Sequence, residues 1–250
     1  MNIAYNADCL AAMREMPDNA FDLCVVDPPY GISVTARHKV KDGKAPLVGG
    51  GGRPFGGAKG NNERALKVSA CKSKFYHPFD DSSPPDEEYF RELFRVSKNQ
   101  VIWGGNFLLD YLPKTSCMLV WDKKRKNMDQ ADCEIAWTSF KEQSRIFEFR
   151  WNGMLQGDMK NKEERIHPTQ KPVALYEWIF SRYAKQGDKI LDTHLGSGSS
   201  RIAAYNAGLD FVGYEIDETY FKLEEERFRK HTQQVSFIDI IGGTNDKNLS

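Results

Sequence analysis

The most constraining feature of this chain is a short apolar run that ends on an acid and two prolines: Phe21 to Val26, then Asp27-Pro28-Pro29-Tyr30-Gly31. Leu23-Cys24-Val25-Val26 is apolar without alternation, which suits a strand buried on both faces of a parallel sheet. Neither proline can donate to a sheet ladder, so the strand must stop there. This puts an Asp on a stiff turn at the carboxyl end of a strand, with an aromatic beside it. Open α/β sheets bind ligands at that edge. A carboxylate and a proline carbonyl are both acceptors and can together hold the two hydrogens of an exocyclic amino group. That grip draws the nitrogen lone pair out of conjugation and makes it nucleophilic. Tyr30 offers a flat face for a planar base. An ordinary strand-to-loop turn is the competing reading of these four residues.

The remaining pattern alternates strands and helices. Strands are expected at residues 2–5, 100–104, 117–122, 189–192 and 210–215, with a returning strand at 133–140 and a further one at 146–151. Helices are expected at 9–16, 86–97, 172–183, 199–207 and 218–230, with a brief helical turn at 107–111. Such alternation predicts an α/β fold with a doubly wound, mostly parallel sheet. The chain of 250 residues suits one large domain.

A second constellation lies far along the chain: Asp192-Thr193-His194-Leu195-Gly196-Ser197-Gly198-Ser199. It reads as strand, Gly-x-Gly turn and helix start. The glycines allow close backbone approach by a ligand, and the helix start favours a negative group. Glu215, closing the next strand, stands where an acid typically binds ribose hydroxyls. NAD and S-adenosylmethionine (AdoMet) both fit this layout, but the third glycine wanted by a dinucleotide pyrophosphate is missing.

Composition adds bounds. Forty per cent hydrophobic and 28% charged residues are ordinary for a soluble protein. No apolar run is long enough to span a membrane, and the N-terminus lacks a signal layout, so a cytoplasmic protein is expected. Five scattered cysteines argue against a disulfide framework or zinc site. Net charge is zero, but residues 31–76 carry ten Lys/Arg against Asp42 and Glu63. With seven glycines between Gly49 and Gly60, the stretch at about 31–80 is expected to form a basic lid over a polyanion, or else a solvated insertion. Lys123-Lys124-Arg125-Lys126 reads as a phosphate contact or a hairpin tip.

Asp27-Pro28-Pro29-Tyr30 resembles the (Asp/Asn/Ser)-Pro-Pro-(Tyr/Phe/Trp) motif of the amino-group DNA methyltransferases. Asp192, Gly196 and Gly198 are similar to the same family's AdoMet motif, Asp-Pro-Phe-x-Gly-x-Gly, with Thr193-His194 in place of Pro-Phe. His194 is read as a packing substitute. His167-Pro168-Thr169-Gln170-Lys171-Pro172 resembles a third family motif. With the amine-holding motif first, the order is that of the beta-ordered group, a circular permutation.

The resemblance implies a Rossmann-like AdoMet-dependent methyltransferase fold. It implies a site-specific enzyme on double-stranded DNA that methylates N6 of a flipped adenine, with N4 of cytosine as the alternative. Asp27, Pro28, Pro29 and Tyr30 would be catalytic. Asp8, His167, Thr169, Lys171, Asp192, Gly196, Ser197, Gly198 and Glu215 would bind the cofactor, Lys171 and Thr169 at its carboxylate. Asp8 reads equally as the cap of the helix starting at Cys9. Residues 141–166 are a candidate target-recognition insertion, equally a surface insertion. Homodimerisation, a restriction endonuclease partner and association with the nucleoid are compatible with the family. Gln234-Val235-Ser236-Phe237-Ile238 loosely resembles a sliding-clamp-binding peptide, although a terminal strand is the plainer expectation. An RNA methyltransferase, a nicotinamide oxidoreductase and a non-catalytic DNA-binding subunit are the rival readings.

Overall fold

The computed structural model describes residues 1–32, 81–125, 131–152 and 155–242, with side chains through residue 234. The Gly-rich basic stretch lies almost wholly outside these residues.

The chain begins with β1 (Asn2–Tyr5), α1 (Cys9–Arg14) and β2 (Phe21–Val26). Beyond residue 80 come α2 (Glu87–Val96), β3 (Ser97–Trp103), a 3-10 turn (Gly105–Phe107), β4 (Met118–Asp122) and β5 (Cys133–Thr138). Short strands β6 (Arg145–Glu148), β7 (Trp151–Asn152) and β8 (Leu155–Gln156) lead to α3 (Val173–Tyr183). The chain continues through β9 (Lys189–Asp192), α4 (Ser199–Asn206), β10 (Asp210–Tyr214) and α5 (Glu218–Gly242).

Eight strands form one sheet in the order β1-β10-β9-β2-β3-β5-β4-β6. Only β5 runs against its neighbours. The sheet is therefore mostly parallel and doubly wound. β2 is buried on both faces, as its unbroken apolar run requires. Cys24 and Val26 face Met13 of α1 and Tyr89, Phe90, Leu93 and Val96 of α2. Leu23 and Val25 face Leu175, Ile179 and Phe180 of α3 and Ala203 and Ala204 of α4. Each strand position thus chooses its layer by parity.

The strand order reverses between β9 and β2. From β9 the chain crosses toward β10, and from β2 toward β3. The two central strands pair only at Leu23↔Ile190 and Cys24↔Leu191, whereas β2 and β3 pair at five positions. The carboxyl ends of β9 and β2 flank a topological switch point, where ligands bind in such sheets.

Three expectations change. The brief turn after β3 falls at Gly105–Phe107, ahead of 107–111. The strand expected at 146–151 is split: residues 145–148 join the sheet as its outer strand, and Trp151–Asn152 pairs with Leu155–Gln156 apart from it. α5 runs on to Gly242, so residues 234–238 are helical, not a terminal strand. Among the described residues no helix is long and apolar enough to cross a membrane.

Candidate active site

Asp27 follows β2 directly, on the edge of the sheet where β9 ends in Asp192. The two turns expected to act together therefore lie side by side. Asp27 is near enough to contribute to the upward shift of the Asp192 carboxyl.

The Asp27 carboxylate is held at both oxygens. Oδ1 accepts the Tyr30 hydroxyl and Oδ2 accepts Lys171 Nζ. Burial, with Asp27 beside it, pushes the Tyr30 phenol well up, so its hydroxyl stays a donor. Its ring lies against Gly104 and stacks on Phe107, with centroids 5.3 Å apart and planes 17° from parallel. Gly104 has φ +72°, and a Cβ there would sit 2.1 Å from Tyr30 Cε1. Both backbone and contact demand glycine. Phe107 is 49% exposed at the lip of this site.

Lys171 was expected against the cofactor carboxylate. The structure places it in the Asp27 pocket instead. It is buried, and besides Asp27 it meets Glu134 Oε2 at 3.2 Å and the Tyr30 hydroxyl at 3.4 Å. Burial alone would lower its pKa, but Asp27 and Glu134 reverse that and raise it. Burial likewise works against the Glu134 carboxylate, yet Lys171 and Lys123 hold its pKa down to about 2. Lys123 pairs with Glu134 through its ammonium, which also lies 4.9 Å from the centre of the Trp121 ring. It is an inward-facing residue of this network rather than a hairpin-tip phosphate contact. Two acids and two lysines thus balance in one small pocket.

The other turn is built from backbone. Asp192 is buried and accepts the His194 amide at 3.0 Å and the Ser200 hydroxyl at 2.5 Å. Burial raises its pKa to about 7, against the opposing pull of those two donors. Gly196 (φ +54°) and Gly198 (φ +70°) make the left-handed corners. A Cβ on Gly196 would lie 3.7 Å from His167 Nδ1, an ordinary contact, so at this half-buried position the left-handed φ and not a clash calls for glycine. A Cβ on Gly198 would strike Glu224 Oε2 at 2.7 Å, so that glycine serves packing. Ser197 turns inward, its hydroxyl 3.1 Å from that of Ser199. Arg227 donates to the Ser197 carbonyl at 2.6 Å and to Glu163 at 2.6 Å, bracing the turn from behind.

Glu215 accepts the Gly196 amide at 2.8 Å and so ties the turn to the end of β10. Asp8 caps α1, accepting the Leu10 amide at 2.8 Å, and lies near enough to His194 to act on its charge. His194 sits edge-on to Tyr89, with burial lowering its pKa to about 4, a packing role. His167 is buried against Tyr220, and burial, then Lys171, lowers its pKa to about 3. Thr169 is exposed, its hydroxyl 3.0 Å from His167 Nδ1.

The rim around Gly196 is acidic: Asp8, Glu215 and Asp217 stand near it, with Asp192 below. This lining fits a cofactor carrying a sulfonium and an ammonium better than one carrying a pyrophosphate. Glu134, Gly104, Phe107 and Arg227 escaped the sequence reading as site residues, and Lys123 was read there only as part of a basic run. Glu134 and Lys123 had a signal. Each is a charge in phase with buried neighbours, Glu134 with Ala136 and Thr138, Lys123 with Leu119 and Trp121.

The DNA methylase family model matches residues 110–226. The type II methyltransferase M2.DpnII of Streptococcus pneumoniae is 21% identical over 92% of this chain and 91% of its own length. The DNA adenine methyltransferase YhdJ of Escherichia coli (strain K12) is 24% identical over 87% of this chain and 79% of its own. Among solved structures, the cytosine-N4-specific PvuII DNA methyltransferase superposes with a TM-score of 0.53 at 13% identity, covering 93% of this chain and 91% of that one. The M1.HpyAVI–SAM complex gives 0.50 at 21% identity, covering 91% and 100%. These neighbours share the Rossmann-like fold of AdoMet-dependent DNA methyltransferases, and the likeness to the DNA methylase family model spans residues 110–226 of this chain.

Proposed function

We propose that this protein transfers a methyl group from AdoMet to the exocyclic amino nitrogen of a base flipped out of double-stranded DNA, with adenine N6 as the preferred acceptor. The observation that supports it most is the adjacency of the two turns at the switch point, one ending β2 at Asp27 and one ending β9 at Asp192.

The target must leave the stack, because its amino group is otherwise paired. Asp27 and the Pro28 carbonyl accept the two amino hydrogens. Tyr30 and Lys171 fix the carboxylate from its other sides. The Tyr30–Phe107 pair offers an aromatic lip for the base. AdoMet, when bound, supplies an electrophilic methyl. Asp8, Glu215 and the Gly196 turn would hold it, with Thr169 and His167 beside them. Positioning of the two partners supplies much of the rate. Once the new N–C bond has formed, the amino nitrogen releases a proton, and the Asp27 carboxylate is the acceptor in contact.

Adenine is favoured by the Asp of the first motif and by the adenine specificity in YhdJ's name. The fold shared with a cytosine-N4 enzyme keeps cytosine N4 as the alternative. Incubating the purified chain with tritiated AdoMet and duplex DNA, then separating the nucleosides, decides it. Label in N6-methyl-2′-deoxyadenosine is expected, label in N4-methyl-2′-deoxycytidine selects the alternative, and no label refutes the function. The name of the type II relative supports pairing with a restriction endonuclease, and action on chromosomal DNA would place the protein at the nucleoid. Residues 141–166 are proposed for target recognition, near the outer strand β6.

A further inference from the structure

We infer that Lys171 and Glu134 are positioning residues for the base-holding carboxylate, not cofactor ligands. The inference rests on the proposed function and names a part of its machinery.

Lys171 Nζ donates to Asp27 Oδ2 and, at 3.4 Å, to the Tyr30 hydroxyl, and its charge is paired with Glu134 Oε2 at 3.2 Å. Its side chain is 3% exposed, enclosed by these partners. The lysine fills the space between two acids brought together from β2 and β5, and Glu134 is in turn pinned by Lys123 at the end of β4. The chain Lys123–Glu134–Lys171–Asp27 thus runs from the antiparallel strand of the sheet to the switch point.

Asp27 follows a strand end and two prolines follow it, so its backbone is fixed, but its side-chain torsions are not. The Tyr30 hydroxyl on Oδ1 and Lys171 on Oδ2 set the plane of the carboxylate. Each oxygen keeps a lone pair for an amino hydrogen. Glu134 keeps Lys171 in place by opposing the pull of Asp27. Without Glu134, the ammonium keeps a single anionic partner, and the direction from which it holds the Asp27 carboxylate is no longer fixed. The clamp therefore acts on kcat through Asp27 and leaves the Gly196 side untouched.

Lys171→Met, Lys171→Arg and Glu134→Gln test this, with AdoMet affinity by calorimetry and methyl transfer to duplex DNA as separate readouts. For Lys171→Met the clamp predicts kcat lower by about 10²-fold, the cost of a misplaced group at the reacting centre. AdoMet Kd should change less than about twofold, and calorimetric binding also shows that the variant has folded. Lys171→Arg should recover part of kcat, and Glu134→Gln should lower kcat with AdoMet binding intact. In an Asp27→Asn background, Lys171→Met should have little further effect, because both act through one carboxylate. A tenfold or greater loss of AdoMet affinity in Lys171→Met would return the lysine to the cofactor and overturn the clamp. So would an unchanged kcat beside an active wild type. A wild-type chain that binds AdoMet yet labels no DNA would overturn the functional reading itself.

Discussion

The turns after β2 and β9 start alike and end as opposites. Each follows a central parallel strand, each opens with an Asp, and the two stand next to each other at the switch point. After β2 the chain stiffens with two prolines and projects a side chain whose oxygens are oriented by Tyr30 and Lys171. After β9 the Asp is buried and spent on the turn itself, holding the His194 amide and the Ser200 hydroxyl. There the glycines leave backbone, not side chain, facing outward at Gly196. One edge of one sheet is thus used in two ways. Where a single functional group must be aimed, the turn is rigid and the side chain is braced. Where a large flexible molecule must be wrapped, the turn is bare and the acid beneath is structural.

That contrast can be broken in order of expected effect. Asp27→Ala should lower methyl transfer by about 10³-fold while AdoMet affinity stays near wild type, since the lost contact belongs to the reacting amine. Equal loss of both would mean that Asp27, like Asp192, is structural. Gly104→Ala comes next. Its Cβ would drive the Tyr30 ring off Asp27, so a drop in kcat of about 10²-fold is expected with little change in AdoMet Kd. Gly196→Ala should do the reverse. Forcing its φ of +54° costs about 1–2 kcal/mol in the left-handed region, read as roughly a tenfold weaker AdoMet Kd with kcat at saturation preserved.

A separate contrast lies in the pH dependence of stability. Burial, then Lys171, depresses His167 to about 3, below the usual imidazole value, so the unfolded chain binds the proton more readily. Its contribution to stability is present above about pH 6.5 and is lost as pH falls toward 3. Urea melts should show wild type losing up to about 1.4 kcal/mol per pH unit relative to His167→Gln between pH 6 and 4. Parallel loss in both proteins would assign the acid sensitivity to other groups.

Both turns were legible from the sequence because each is a local event: an apolar run meets proline in one, and glycines of fixed spacing in the other. The sheet order followed from the alternation of elements. Lys171 was seen in its motif but its pairing with Glu134 was not, because Glu134 arrives through strand register and not through sequence proximity. β5 returns antiparallel beside β3, with Trp103 opposite Ala136, which brings Glu134 to the same edge as Asp27. No spacing rule along the chain encodes that. The length of α5 was missed because Val235, Phe237, Ile238, Ile240 and Ile241 are residue types that favour a strand, while the helix continues through them. Arg227 was read as part of an amphipathic face, and only packing against the Ser197 carbonyl reveals its use.

The strand order also governs how the molecule comes into being. β1 pairs with β10 alone, and β9 slots between β10 and β2, so the first strands made wait for the last. On a ribosome the base-gripping turn emerges early, yet the sheet seam beside it stays open until nearly the whole polypeptide has been delivered. Such long-range pairing folds slowly and leaves apolar strand edges bare meanwhile. A nascent chain stalled before residue 189 would have neither β9 nor β10 to complete the seam. It could not bring a donor and an acceptor together, so a half-built copy would leave DNA unmarked.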